Sequence, residues 1–247
     1  MNPRPVPDLT PLVGEPPHPW APAAREMWLA VAYFPLYLAY LFWQLEGELG
    51  HWGTMVLLPL LLVLVLNWGR EAPISSALAS FGLRWGNLRR GLGVTLVLGV
   101  GLGLFQLFLS RSGPAVLEAF RTGTALYLLP LAFVLMLGMA GFTEEFFFRG
   151  FLQTRVEALA GSKWVGLILT SVLFGVYHLP YAYFNPNWPS AGDWGGAWMS
   201  ALGQGIPGGL ILGGLYLFSG RNLAACIILH ALVDTFPAVG LIKFGGG

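Results

Sequence analysis

Charge is scarce in this chain. Of 247 residues, 13 are Lys or Arg and 12 are Asp or Glu, 10% in all, where a soluble domain carries roughly 25%. That deficit excludes an ordinary soluble protein and leaves no polar stretch large enough for a separate soluble module. The formal net charge of +1 offers no basic surface, so no nucleic-acid partner is expected. Cysteine is nearly absent. The single Cys226 excludes an intrachain disulfide, says nothing of the redox compartment, and is expected to be inert core. The motif HExxH, which sets two zinc-binding His on one helix face, is missing, as is any internal repeat or low-complexity tract. Residues 1–26 are rich in proline and lack the apolar core of a secretory signal. They are expected to form an extended arm before a membrane domain at 27–247. The terminal Gly245, Gly246 and Gly247 are assigned no role.

What is abundant is apolar: 55% of residues are hydrophobic and the mean hydropathy is +0.66. Crossing a bilayer takes roughly 17–25 such residues. Runs of that length lie near 27–45, 52–68, 91–110, 124–151, 164–183, 197–218 and 222–242. Trp28, Trp43, Trp52, Trp68, Trp164 and Trp198 mark their ends, as interfacial anchors do. The expected fold is therefore all-α, a polytopic transmembrane helical bundle of about seven or eight spans. The polar stretch between the second and third spans is predicted to be an interfacial helix. Gly99 with Gly103, and Gly205, Gly209 and Gly213, recur at the spacing that lets helices approach closely. Asn185, Pro186, Asn187 and Pro189 mark a loop.

The positive-inside rule sets orientation. With the N-terminus in the cytoplasm, Arg4, Arg25, Arg70, Arg84, Arg89, Arg90, Arg149, Arg155, Lys163 and Arg221 fall inside, and only Arg111, Arg121 and Lys243 outside. The chain is thus expected to be an integral, multi-pass membrane protein whose principal environment is the lipid bilayer.

Within these runs stand Glu144, Glu145, Arg149, His178, His230 and Asp234. A charge at mid-bilayer costs about 2.5–3.5 kcal/mol on insertion scales, so such residues pair, face a polar interior, or act. Glu144 and His178 each lie about 17 residues from the turn at Gly161, so an antiparallel hairpin puts them at similar depth. His230 and Asp234 follow the turn at Gly220 and Arg221 by about 9 and 13 residues. Residues four apart share a helix face. That spacing pairs Glu145 with Arg149, Phe174 with His178 and His230 with Asp234, leaving Glu144 to point elsewhere. Amide hydrolysis needs a base for water and donors for the oxyanion, and this cluster holds both kinds of group. His18 and His51 are expected to be solvated, and Tyr177 and Tyr181 to pack or anchor.

Three motifs in order complete the pattern: Glu144-Glu145-Phe-Phe-Phe-Arg149, Phe174-Gly-Val-Tyr-His178 and His230-Ala-Leu-Val-Asp234. They resemble the CPBP family of intramembrane proteases, which includes CAAX prenyl endopeptidases and Abi-type proteins, over about residues 80–242. The resemblance implies a membrane endopeptidase acting on a peptide or lipidated peptide, with its cavity open to the cytosol. It further implies that Glu144 and His178 activate water and that His230 and Asp234 stabilise the oxyanion, with Glu145 and Arg149 in support. The family's Asn is here Asp234, and an ionised Asp is acceptor-only. It is protonated, it orients His230, or it binds a cation. No cofactor is the favoured reading. Zinc held by Glu144, His178, His230 and Asp234 is the alternative, and a proton or ion transporter or a non-catalytic immunity or scaffold protein are the readings from other classes.

Overall fold

The computed structural model describes residues 24–68, 74, 78, 80–83, 88–109 and 113–241. Among these every regular element is a helix and there are no strands: α1 (Ala24–Trp43), α2 (48–66), α3 (Leu88–Leu109), α4 (Gly113–Thr122), α5 (Ala125–Ala160), α6 (Lys163–Phe184), α7 (Trp194–Phe218) and α8 (Leu223–Leu241). The expected arm up to residue 23, most of the expected interfacial helix and the terminal glycines lie outside the described residues.

Among the described residues, five stretches are long and apolar enough to cross a membrane: Leu49–Leu66, Gly91–Phe108, Ala125–Ala160, Lys163–Phe184 and Trp194–Phe218. The stretch Leu223–Val239 is shorter, and α1 dilutes its apolar run with Tyr33, Tyr37 and Tyr40. The expected fourth run ends too early at 151. Helix α5 continues to Ala160, because Arg155 and Glu157 are both fully buried and paired. Arg155 meets Glu26 of α1 at 3.3 Å, and Glu157 meets Arg221 at 3.0 Å. Arg155 and Arg221 are therefore partners in the packed interior rather than free topogenic charges.

Helix α4 was not foreseen. It is amphipathic, buries Val116 and Ala119 against Ala125, Leu128 and Val239, and exposes the Arg121–Glu118 pair.

Among the described residues, four π-helical segments interrupt the bundle, at Trp52–Leu57, Leu137–Phe142, Phe146–Gln153 and Ala201–Gly205. Two immediately precede a proline turn, at Pro59 and Pro207, where the missing N–H removes a backbone bond. The two in α5 flank the three-residue turn Thr143–Glu145. Such bulges recur at functional sites, and here they re-aim the Glu pair.

Gly161, with φ at +65°, ends α5, and Ser162 caps α6 by accepting from the Val165 N–H at 3.4 Å. The hairpin read from the sequence is thus formed. Helix α6 packs along α7 with backbones nearly touching, since a Cβ on Gly205 would lie 2.7 Å from Gly175 Cα, and one on Gly209 2.7 Å from Ser171 Cα. Gly99 and Gly103 likewise receive Leu232 and Phe236 of α8. The core centres on α5, where Phe146, Phe147, Phe148 and Phe151 are buried against α1, Phe81 and α6. This arrangement holds the charged turn of α5 between α6 and α8.

Candidate active site

Glu144 and Glu145 are 9% and 0% exposed. Glu145 Oε1 accepts from Arg149 Nη1 at 2.8 Å, the pairing expected from the spacing, and from His230 Nδ1 at 2.7 Å. An ionised carboxylate cannot donate, so Nδ1 of His230 carries the proton. That leaves Nε2 directed toward the other two carboxylates, 3.8 Å from Glu144 Oε2 and 3.4 Å from Asp234 Oδ2. One imidazole thus joins all three acids. Glu144 Oε2 and Glu145 Oε2 are buried without a hydrogen-bond partner. The side chain of Asp234 is one-third exposed.

His178 sits in the last two turns of α6. Its Nδ1 is 2.7 Å from the Phe174 carbonyl oxygen, an acceptor only, so Nδ1 donates and Nε2 remains the ring's free acceptor. Among the described residues no direct hydrogen bond joins His178 to Glu144. The two histidines instead share Phe174, whose ring meets His178 edge-on at 4.7 Å and His230 at 6.0 Å. The Arg149 guanidinium lies 4.4 Å from the centre of the same ring. Phe174 therefore sets the spacing between both histidines and the buried cation, which accounts physically for an aromatic one turn before His178.

His178 and His230 line one cavity of about 420 Å³, within the range that takes a small ligand or peptide segment. Its other walls include Leu102 and Phe105 of α3, Gln204 and Ile211 of α7, and Trp188 from the connection after α6. These residues run from the middle of the bundle to the end carrying residues 185–193. Arg89 and Lys163 stand at the opposite end.

Cys226 is fully buried with Sγ 3.4 Å from the Leu212 carbonyl, not on His230. His51 corrects the sequence reading. It is not solvated but half-buried, with Nε2 2.6 Å from the Tyr181 hydroxyl. Tyr177 packs, as expected, and its hydroxyl also reaches Glu144 Oε1 at 3.4 Å. The four-residue spacing of Tyr177 and Tyr181 was the available signal for a polar edge on α6. The partner on α2 was not visible without the fold. Among the described residues, no group of three or more His, Cys, Asp or Glu is arranged to hold a metal ion.

Residues 124–236 match the family model described as type II CAAX prenyl endopeptidase Rce1-like. The matched segment runs from the residue before α5 into α8 and carries all six ionisable residues. Over that segment the chain is similar to the CAAX prenyl endopeptidases of the CPBP family, which supports the resemblance carried by the three motifs. Nothing among curated proteins or solved structures matches the chain.

Proposed function

We propose that this protein is an intramembrane endopeptidase that cleaves a membrane-associated or prenylated peptide, using Glu144 and His178 to activate water. The observation that carries this reading is the meeting of Glu144, Glu145 and Asp234 on His230, beside a cavity also lined by His178. A water molecule between Glu144 Oε2 and His178 Nε2 meets two acceptors without competing partners. Glu144 takes its proton as the oxygen bonds to the scissile carbonyl carbon. The oxyanion forms beside His230, whose Nε2–H supplies the donor when the imidazole is doubly protonated between its carboxylates. Glu144 then delivers its proton to the departing amine as the C–N bond breaks. Water and peptide are consumed, and a carboxylic acid and an amine are released. Asp234, 3.4 Å from Nε2, serves by orienting His230, which an acceptor-only group can do. Glu145 and Arg149 fix the imidazole from behind.

The positive-inside bias keeps the Arg89 and Lys163 end in the cytoplasm. With that orientation the mouth faces the opposite side. Impermeant thiol labelling of Asn187→Cys from outside intact cells supports this orientation, whereas labelling of Ser162→Cys from outside inverts it.

The function is tested with purified protein in lipid nanodiscs and a quenched fluorescent peptide ending in a farnesylated Cys-aliphatic-aliphatic-X tail. Glu144→Ala and His178→Ala are expected to abolish cleavage while retaining the wild-type elution volume. Cleavage at the wild-type rate in Glu144→Ala overturns the assignment. Metal analysis and a chelator titration accompany the assay. Full activity without bound metal is expected, and stoichiometric zinc with chelator-sensitive cleavage would transfer these residues to a metal mechanism.

A further inference from the structure

The mechanism uses one oxygen of Glu144 and leaves the other unexplained. Oε1 faces the Tyr177 hydroxyl at 3.4 Å, and the same hydroxyl lies 3.5 Å from His51 Nε2. His51 Nε2 is in turn 2.6 Å from the Tyr181 hydroxyl. Side chains from α2 and α6 thus form a single file of hydrogen-bonding atoms that ends on Glu144. Packing holds the file. Tyr177 lies 5.4 Å from the Tyr181 ring, His51 lies 5.6 Å from the same ring, and Tyr37 stacks on Tyr177 at 6.3 Å. The nearby acid Glu46 is engaged elsewhere, accepting from Thr54 at 2.8 Å and Tyr37 at 3.2 Å.

Proton counting gives the file a direction. If His51 Nε2 is bare, its lone pair accepts from the Tyr181 hydroxyl at the shorter distance. If Nε2 carries a proton, it donates to a tyrosine oxygen. In both tautomers the Tyr177 hydroxyl can give its single proton to Glu144 Oε1, the carboxylate it faces, with the Tyr181 hydroxyl as the other acceptor beside it. The 3.4 Å separation is long, as hydrogen bonds of unliganded enzymes often are before they tighten around substrate. We infer that Tyr177, backed by His51 and Tyr181, is a positioning residue that holds Oε1 of Glu144 and leaves Oε2 as the basic atom. Oε2 is the oxygen without a hydrogen-bond partner and the one nearer His230. This rests on Glu144 being the base.

The test uses the full chain in nanodiscs with the farnesylated peptide. Tyr177→Phe keeps the ring and deletes only the hydroxyl. It is expected to lower kcat at least fivefold, with KM within twofold and an unchanged unfolding midpoint. His51→Leu is expected to lower kcat as well, and the double variant to fall no further than Tyr177→Phe, because the residues act in series. A kcat within twofold of wild type in Tyr177→Phe, with Glu144→Ala inactive, overturns the positioning role and leaves the base intact. A double variant reduced by the product of the two single effects overturns the series arrangement. Cleavage that survives in Glu144→Ala would instead remove the hydrolytic reading itself.

Discussion

The buried pair of Glu145 and Arg149 separates architecture from chemistry. Its side chains are 0% and 2% exposed, and one carboxylate oxygen receives both Arg149 at 2.8 Å and His230 at 2.7 Å. In Glu145→Gln the guanidinium loses its counter-charge and keeps the Phe174 ring at 4.4 Å and a 3.4 Å contact to the Gly209 carbonyl. Removing one member of a buried pair costs about 3–5 kcal/mol, so Glu145→Gln should lose that much unfolding free energy in mixed micelles. Arg149→Met strands the carboxylate, with His230 as its remaining partner, and should cost a comparable amount. The double variant removes both charges and should recover most of the loss, since apolar replacements of buried pairs are often neutral. Cleavage should not recover with it. His230 has lost the carboxylate that fixes its Nδ1–H, and the lone pair and donor at Nε2 are no longer assigned. Unfolding curves and peptide cleavage on the four proteins decide the matter. A change below about 1 kcal/mol in Glu145→Gln would refute a buried pair. Full cleavage by the double variant would refute the orienting role.

Gly175→Ala places a Cβ 2.6 Å from Ile206 Cγ1 and 2.8 Å from the Ala201 carbonyl. It should cost about 1–3 kcal/mol and, by displacing His178 one turn later, reduce kcat more than KM in the nanodisc assay. Phe174→Leu removes the edge contacts to both histidines and the ring under Arg149. It should lower cleavage at least tenfold while costing about 2 kcal/mol or less beyond area lost, read from kinetics and unfolding together. Burial raises the Glu46 carboxyl above its ordinary value, against the lowering bonds from Thr54 and Tyr37. A raised folded-state value contributes stability that is present below the unfolded value, about pH 4.3, and is lost as pH rises through the folded one. Unfolding midpoints measured from pH 4 to 8 should therefore decline less in Glu46→Gln than in wild type, and parallel slopes would refute this.

The sequence by itself determined the class of environment and most of the ingredients. Long apolar runs with few charges can only be helices in lipid, because backbone groups there must be satisfied within the segment. Six ionisable residues in those runs had to be paired or functional, because leaving them alone is too costly. The four-residue spacing was enough to join Glu145 to Arg149 and His230 to Asp234, and the glycine spacing marked where helices touch. The length of α5 was misread because Arg155 and Glu157 look like the end of a span until Glu26 and Arg221 are seen beside them.

Only the tertiary structure decided the wiring. Regular helix geometry gives neighbouring residues a fixed rotation, but the π-helical turns on both sides of Thr143–Glu145 reset it, and no local pattern announced them. His230 meets Glu145 from 85 positions away, and Phe174 spaces two histidines on different helices. His51 left the solvent for Tyr181, 130 positions distant. Contacts of that separation depend on how helices cross and which backbones can touch, as Gly175 and Gly205 do. Hydropathy carries no record of that.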